Sequence, residues 1–234
     1  MQPELQPIRT GNSIPSQDYA VQQHRVLRNT YWLLALSLIP TAIGAAIGTN
    51  IDLGFLRASP MLSFFAILAI FYGWIFAIER NRNSSLGVVL LLGFTLFMGL
   101  LLGPLFQVVL GFKNGVQLVM MATGGTAAVF FGLAGLASST TRDFSFLSKF
   151  LFVGFIVIML AVVANVFFAS PVLQLTVLGG IILFSSAAIL WQVNAIVRGG
   201  ETNYVSATLT LYVCLYNLFS SLLQLLGIFG GSRD

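Results

Sequence analysis

The chain has 234 residues, of which 57% are hydrophobic and 8% charged, with 11 Lys+Arg against 7 Asp+Glu. A soluble domain carries about 25% charged residues, so this composition, with a mean hydropathy of +0.94, excludes a soluble globular domain, a coiled coil and a disordered chain. It also excludes a nucleic-acid binder, which needs clustered basic residues, and one cysteine excludes a disulfide framework within the chain.

Residues 1–28 are polar, with Pro3, Pro7, Pro15 and five glutamines. They read as a disordered cytosolic tail rather than a cleaved leader. His24, the single histidine, reads as a solvated tail residue. Beyond the tail, ionisable residues divide the chain into charge-free runs at 29–51, 58–78, 83–112, 114–141, 150–197 and 202–232. A spanning helix takes about 20 residues, so five runs hold one span each. The sixth, 150–197, holds two, separated at Ala169-Ser170-Pro171 because the residue before proline avoids helical geometry. The predicted spans are 30–49, 59–78, 86–108, 116–138, 150–169, 172–197 and 204–228. The fold class is an all-α integral membrane bundle of seven helices over 29–230, followed by a short C-terminal segment, 231–234.

Helices in lipid associate through small residues and interhelical hydrogen bonds. Gly44-xxx-Gly48 in the first span, Gly99-xxx-Gly103 in the third and Ala128-xxx-Gly132 in the fourth supply small pairs, read as internal packing. Pro40 is expected to kink the first span, and Gly103-Pro104 to kink or end the third. Asn165 stands alone in the fifth span, where a hydrogen bond to a neighbour is expected. Ser185 and Gln192 share a face of the sixth, and Asn194 points elsewhere. Gly199-Gly200 opens a tight turn, and Glu201 places an anion at the start of the seventh span, favourable with its dipole. In that span Ser206, Thr210, Cys214, Asn217, Ser221 and Gln224 recur every three or four residues and form one polar stripe. Such a stripe faces other helices or water, not lipid, so the last helix is expected to be surrounded by its neighbours. Hydrogen-bonding glue and a conduction path both remain open for it.

With the N-terminus in the cytoplasm, that side holds Arg9, Arg25, Arg28, Arg80, Arg82, Arg142, Lys149 and Arg198, and the far side Arg57, Lys113 and Arg233. The asymmetry favours N-in and C-out. No predicted span contains Asp, Lys, Arg, Glu or His. Proton relays and intramembrane proteases depend on such residues. Cys214 lies in an apolar run unsuited to zinc. No catalytic residue, metal site or cofactor is expected, and no enzyme activity.

Three segments together carry a resemblance. They are Val26-Leu27-Arg28-Asn29-Thr30-Tyr31, Thr141-Arg142-Asp143-Phe144-Ser145-Phe146-Leu147, and Gly199-Gly200-Glu201-Thr202-Asn203-Tyr204 continuing to Leu211-Tyr212-Val213-Cys214-Leu215-Tyr216-Asn217-Leu218-Phe219. The chain from about residue 26 onward resembles the Bax-inhibitor/YccA family of seven-span membrane proteins, most closely its bacterial YccA branch. The resemblance implies a bundle whose last helix is central. It implies a bacterial inner-membrane protein that binds and modulates the membrane protease FtsH and is itself its slow substrate through the cytosolic tail. The alternative is a calcium or proton leak of the Bax-inhibitor type. The family's leak branch uses an aspartate pair, and the matching positions here are Gln192 and Cys214. Neither replacement titrates like a carboxylate dyad or offers calcium a carboxylate oxygen.

Overall fold

The computed structural model describes residues 15–51, 59–140 and 142–232, and within them seven α-helices. These are α1 (Pro15–Gly48), α2 (Pro60–Arg80), α3 (Ser85–Leu110), α4 (Gly115–Ser139), α5 (Leu147–Phe168), α6 (Pro171–Val197) and α7 (Tyr204–Gly230). Each contains a segment long and apolar enough to cross a membrane. Every boundary but one falls within three residues of its predicted position.

The exception is the start of α1. Residues 15–28, assigned to the disordered tail on sequence, are helical. Extending a formed helix adds one hydrogen bond for each residue fixed, and proline suits the first helical position. Val26 is buried and Leu27 packs against the core, so this segment is also held from the side. A helix of 34 residues is about 51 Å long against a hydrocarbon core of about 30 Å. Its first turns therefore stand outside the hydrocarbon. The remainder of the tail, 1–14, lies outside the described residues, as do 52–58, 141 and 233–234, and with them Arg9, Arg57 and Arg233 of the charge count.

The predicted break between the fifth and sixth spans is present. Ala169 ends α5 in the left-handed region at φ 46°, Ser170 caps α6 by accepting from the Leu173 amide at 3.4 Å, and Pro171 takes the first turn. Neither internal proline ends its helix: α1 runs through Pro40, and α3 runs through Pro104 to Leu110. A proline is tolerated inside a membrane helix where neighbouring helices support the freed backbone.

That support comes from the most extensive helix pairing in the bundle, α1 on α3. Gly44 and Gly48 lie against Gly99 and Gly103, backbone to backbone. A methyl group on Gly44 would collide with the Leu96 carbonyl oxygen, and one on Gly99 with that of Thr41. One on Gly48 would stand 3.1 Å from the Gly103 Cα. Two of the three predicted small-residue pairs are thus a single internal seam. The third is not internal. Ala128 and Gly132 are exposed, and nothing lies within 4 Å of a methyl group built on Gly132. The buried face of α4 is instead Leu118, Ala122, Thr126, Phe130, Ala134 and Ala137, turned toward α6 and α7.

α7 packs against α1, α2, α3, α4 and α6, and no residue from Tyr204 to Gly227 is exposed. α5 is the opposite case: Leu151 is its one buried residue, and it leans on α6. Both ends of the bundle are tied by side chains. At one end Gln107 Nε2 donates to the carbonyls of Thr49 (3.0 Å) and Ile51 (3.2 Å), and Asn114 Nδ2 to that of Gly230 (2.6 Å). At the other, Asn203 and Asn194 hold the turns described below.

The seam makes a prediction with an internal control. Gly103→Ala forces a methyl group into the Gly48 backbone, an overpacking that costs about 1–3 kcal/mol. Gly132→Ala meets open space and should change stability by less than about 0.5 kcal/mol. Unfolding of both variants in mixed micelles with rising denaturing detergent measures the difference. Equal stability of the two would refute the seam.

Candidate functional site

The segment Gly199-Gly200-Glu201-Thr202-Asn203-Tyr204 is the turn between α6 and α7. Gly199 sits at φ 76°, a conformation that glycine enters without a side-chain clash. Its amide donates to the Ile196 carbonyl (3.1 Å) and the Gly200 amide to that of Ala195 (2.8 Å), which is the Schellman arrangement. Gln23 of α1 lies directly over Gly199, with Nε2 2.8 Å from where a methyl group would stand. Asn203 then caps α7: its Oδ1 accepts from the amides of Val205 (2.9 Å) and Ser206 (3.2 Å). The other half of the same amide reaches the end of α2, donating to Asn83 Oδ1 (2.7 Å) and the Arg82 carbonyl (3.2 Å). Glu201 acts as a local brace, accepting from the Asn203 amide at 2.8 Å. Thr202 is exposed and Tyr204 half-buried.

A second clamp holds the α4–α5 loop. Asn194, buried in the last turn of α6, donates through Nδ2 to the Arg142 carbonyl and accepts through Oδ1 from the Phe144 amide, both at 3.2 Å. Next to it, Asp143 Oδ1 accepts from the Ser145 hydroxyl (2.6 Å) and amide (2.8 Å). Those two bonds, with a smaller contribution from the Arg198 charge, hold the Asp143 carboxyl below its usual pKa. The conspicuous sequence segments at 142–145 and 199–204 are therefore parts of one polar junction joining α2, α4, α5, α6 and α7.

Gln192 and Cys214 are both buried in the interior, on helices that pack against each other. Gln192 Nε2 has no hydrogen-bond partner among the described residues. Ser185, on the same face of α6, is fully buried and its hydroxyl is likewise unpartnered. Asn165 departs from expectation: its Oδ1 finds no partner, because α5 has α6 on one side only.

The stripe of α7 is covered along its length, with Ser206, Cys214 and Ser221 buried and Thr210, Asn217 and Gln224 half-buried. Among the described residues only Ser206 bonds a neighbouring helix, donating to Glu79 Oε2 of α2 at 2.9 Å. The polar links of α7 to its neighbours lie mainly on another face, which sequence reasoning missed. Tyr212 is almost completely buried, shares a hydrogen bond with the Thr41 hydroxyl of α1 (2.8 Å) and donates to the Thr95 carbonyl of α3 (3.3 Å). One turn earlier, the Thr208 hydroxyl donates to the Tyr204 carbonyl (2.6 Å) and lies 3.3 Å from that of Thr30 on α1. The signal available beforehand was a tyrosine in the middle of a span, whose hydroxyl needs a partner in lipid.

The sequence is similar to those of known chains. The family model "Inhibitor of apoptosis-promoting Bax1" matches residues 23–231. An uncharacterised protein of Neisseria meningitidis serogroup A is 46% identical over 210 residues, 89% of this chain and 92% of its own. An uncharacterised protein of Pseudomonas aeruginosa is 46% identical over 206 residues, 88% of this chain and 90% of its own. The Escherichia coli K12 protein named "Modulator of FtsH protease YccA" is 41% identical over 211 residues, 90% of this chain and 92% of its own. With the match extending from the projecting turns of α1 to the end of α7, this seven-helix membrane chain belongs to the Bax-inhibitor family.

Proposed function

We propose that the protein is a membrane-embedded modulator of the FtsH protease, a regulator rather than an enzyme. The observation that carries this reading is the 41% identity, over 90% of the chain, to the Escherichia coli protein of that name. The structure supplies supporting features. Helices cross-linked by the α1–α3 seam, the Tyr212 bonds and two asparagine clamps resist extraction one at a time. A cytosolic ATP-driven protease needs an accessible end to pull, and the segment ahead of the first span supplies one if the N-terminus is cytoplasmic. A slowly processed chain occupies the protease and spares other substrates. The reading places the protein in the bacterial inner membrane, N-in and C-out, with α7 as the central helix. The proposal involves no cofactor.

A specific observation favours a second reading, an ion leak. Thr30 Oγ1, Ser185 Oγ and Gln192 Nε2 are buried without protein partners, and such groups are where internal water binds. Gln192 and Cys214 at the positions of the leak branch's aspartates weigh against it. Neither is a carboxylate, so they form no proton-sharing carboxylate pair and offer calcium no carboxylate oxygen.

Five outcomes test the proposal. FtsH should co-purify with the tagged protein in mild detergent, and deletion of residues 1–20, which leaves Gln23 and Val26 in place, should lengthen its cellular lifetime several-fold. A lifetime unchanged in cells containing the protease would remove the N-terminal segment from the mechanism. A reporter fused after Arg233 should behave as periplasmic. Cytoplasmic behaviour would reverse the topology. Proteoliposomes of the unaltered protein should show no calcium flux that titrates between about pH 6 and 8, whereas Gln192→Asp with Cys214→Asp should create a pH-dependent conformational change. Titrating flux in the unaltered protein would establish the leak reading instead.

A further inference from the structure

A groove of about 790 Å³ runs between α1 and α4, with α7 as its floor. The two walls meet at one end, where the rings of Tyr31 and Phe130 contact edge to face at 6.0 Å and Ser138 lies near the Tyr31 hydroxyl. Beyond that point they stand apart. Ala35, Leu38 and Ala42 on one lip and Phe131 and Gly135 on the other are exposed, so the groove opens sideways into the membrane. The lining is almost wholly apolar, and none of the α7 stripe residues contributes to it. Water gains nothing in such a space at hydrocarbon depth, and something apolar must fill it.

Size and charge identify the occupant. On α1 the lining runs from Tyr31 to Ala45, about 21 Å, enough for the roughly 15 Å depth of one leaflet. At about 30 Å³ per non-hydrogen centre the volume admits roughly 26 atoms, which accommodates one acyl chain of about 16 to 18 carbons. The closed end is cationic. Arg28 lies one turn before Tyr31 on the same face of α1, and Arg142 lies just past the end of α4, four residues beyond Ser138. Both are exposed, and neither has an ion-pair partner among the described residues. The neighbouring Asp143 is ionised, held by the Ser145 hydroxyl and amide and facing the Arg198 charge.

We propose that this groove is a phospholipid site: one acyl chain lies between α1 and α4 against α7, and an anionic phosphatidylglycerol-type headgroup sits between Arg28 and Arg142. The hydroxyls of Tyr31 and Ser138 then stand where the chain meets the glycerol esters. The site joins the helix that leads out of the membrane, α1, to the covered helix α7, so an occupying lipid braces the bundle where the other helices do not reach.

The test uses the full chain in phosphatidylcholine vesicles doped with phosphatidylglycerol carrying a photoreactive group halfway down one chain. Peptides covering 30–45 and 122–139 should be labelled about tenfold more than those of the lipid-exposed α5, corresponding to about 1.4 kcal/mol of preference. Ala127→Trp, which fills the groove, should reduce that labelling to the α5 level. Arg28→Gln with Arg142→Gln should keep the labelling but abolish its preference for phosphatidylglycerol over a phosphatidylcholine probe. Equal labelling of groove and α5 in the unaltered protein would overturn the site, whatever the variants do. A headgroup preference that survives the double substitution would overturn the headgroup assignment. Loss of groove labelling on co-reconstitution with FtsH would make the occupant a partner's helix and overturn the lipid.

Discussion

The backbone-to-backbone contact of α1 and α3 is the constraint on which the rest of the bundle depends. Lipid tails are as apolar as leucine side chains, so burying one apolar helix against another yields no hydrophobic gain. What remains is close packing, and the closest packing requires the absence of side chains at Gly44, Gly48, Gly99 and Gly103. Dispersion between two backbones at contact distance then replaces the dispersion each would have had with lipid. The same approach sets Thr41 and Thr95 close enough together for one phenol, that of Tyr212, to contact both. The seam thus decides where α7 lies as well as where α1 and α3 lie.

Hydrogen bonds then do what the hydrophobic effect cannot. Two asparagines, Asn194 and Asn203, each use both halves of the side-chain amide to join separate helices at one end, and at the other Gln107 donates through Nε2 to the end of α1 and Asn114 to the end of α7. Each such bond in a membrane protein is worth roughly 0.6–2 kcal/mol, but their placement at turns gives them a second effect, the satisfaction of helix-end groups that lipid would leave bare. The resemblance segments at 142–145 and 199–204 are accounted for in this way, as turn and cap chemistry.

The interior is less completely paired than its ends. Ser185, Gln192 and Thr30 leave buried polar atoms without hydrogen-bond partners among the described residues. The α1–α4 groove lies on the opposite flank of α7 from the stripe, walled by apolar side chains and rimmed by two arginines. The two flanks of α7 therefore offer different chemistries, a covered polar stripe on one and access to the bilayer on the other.

Sequence by itself determined the number of helices, their limits within a few residues, and the break at Ala169-Ser170-Pro171, because span length, charge exclusion and the restriction before proline are local rules. It also showed which small residues could pack and which α7 residues would avoid lipid. It misjudged the start of α1, because a polar helix extending from a buried one is held by Val26 and Leu27 against distant helices, which no local rule reports. It did not distinguish Gly99-xxx-Gly103 from Ala128-xxx-Gly132. The spacing is the same, and only the position of α1 buries the first and leaves the second facing outward. For the same reason Tyr212 was read only as flanking the stripe, and its links to α1 and α3 were not foreseen. Polarity along one helix is a property of sequence, but a hydrogen bond from α7 to Thr41, 171 residues earlier, exists only once the helices have packed.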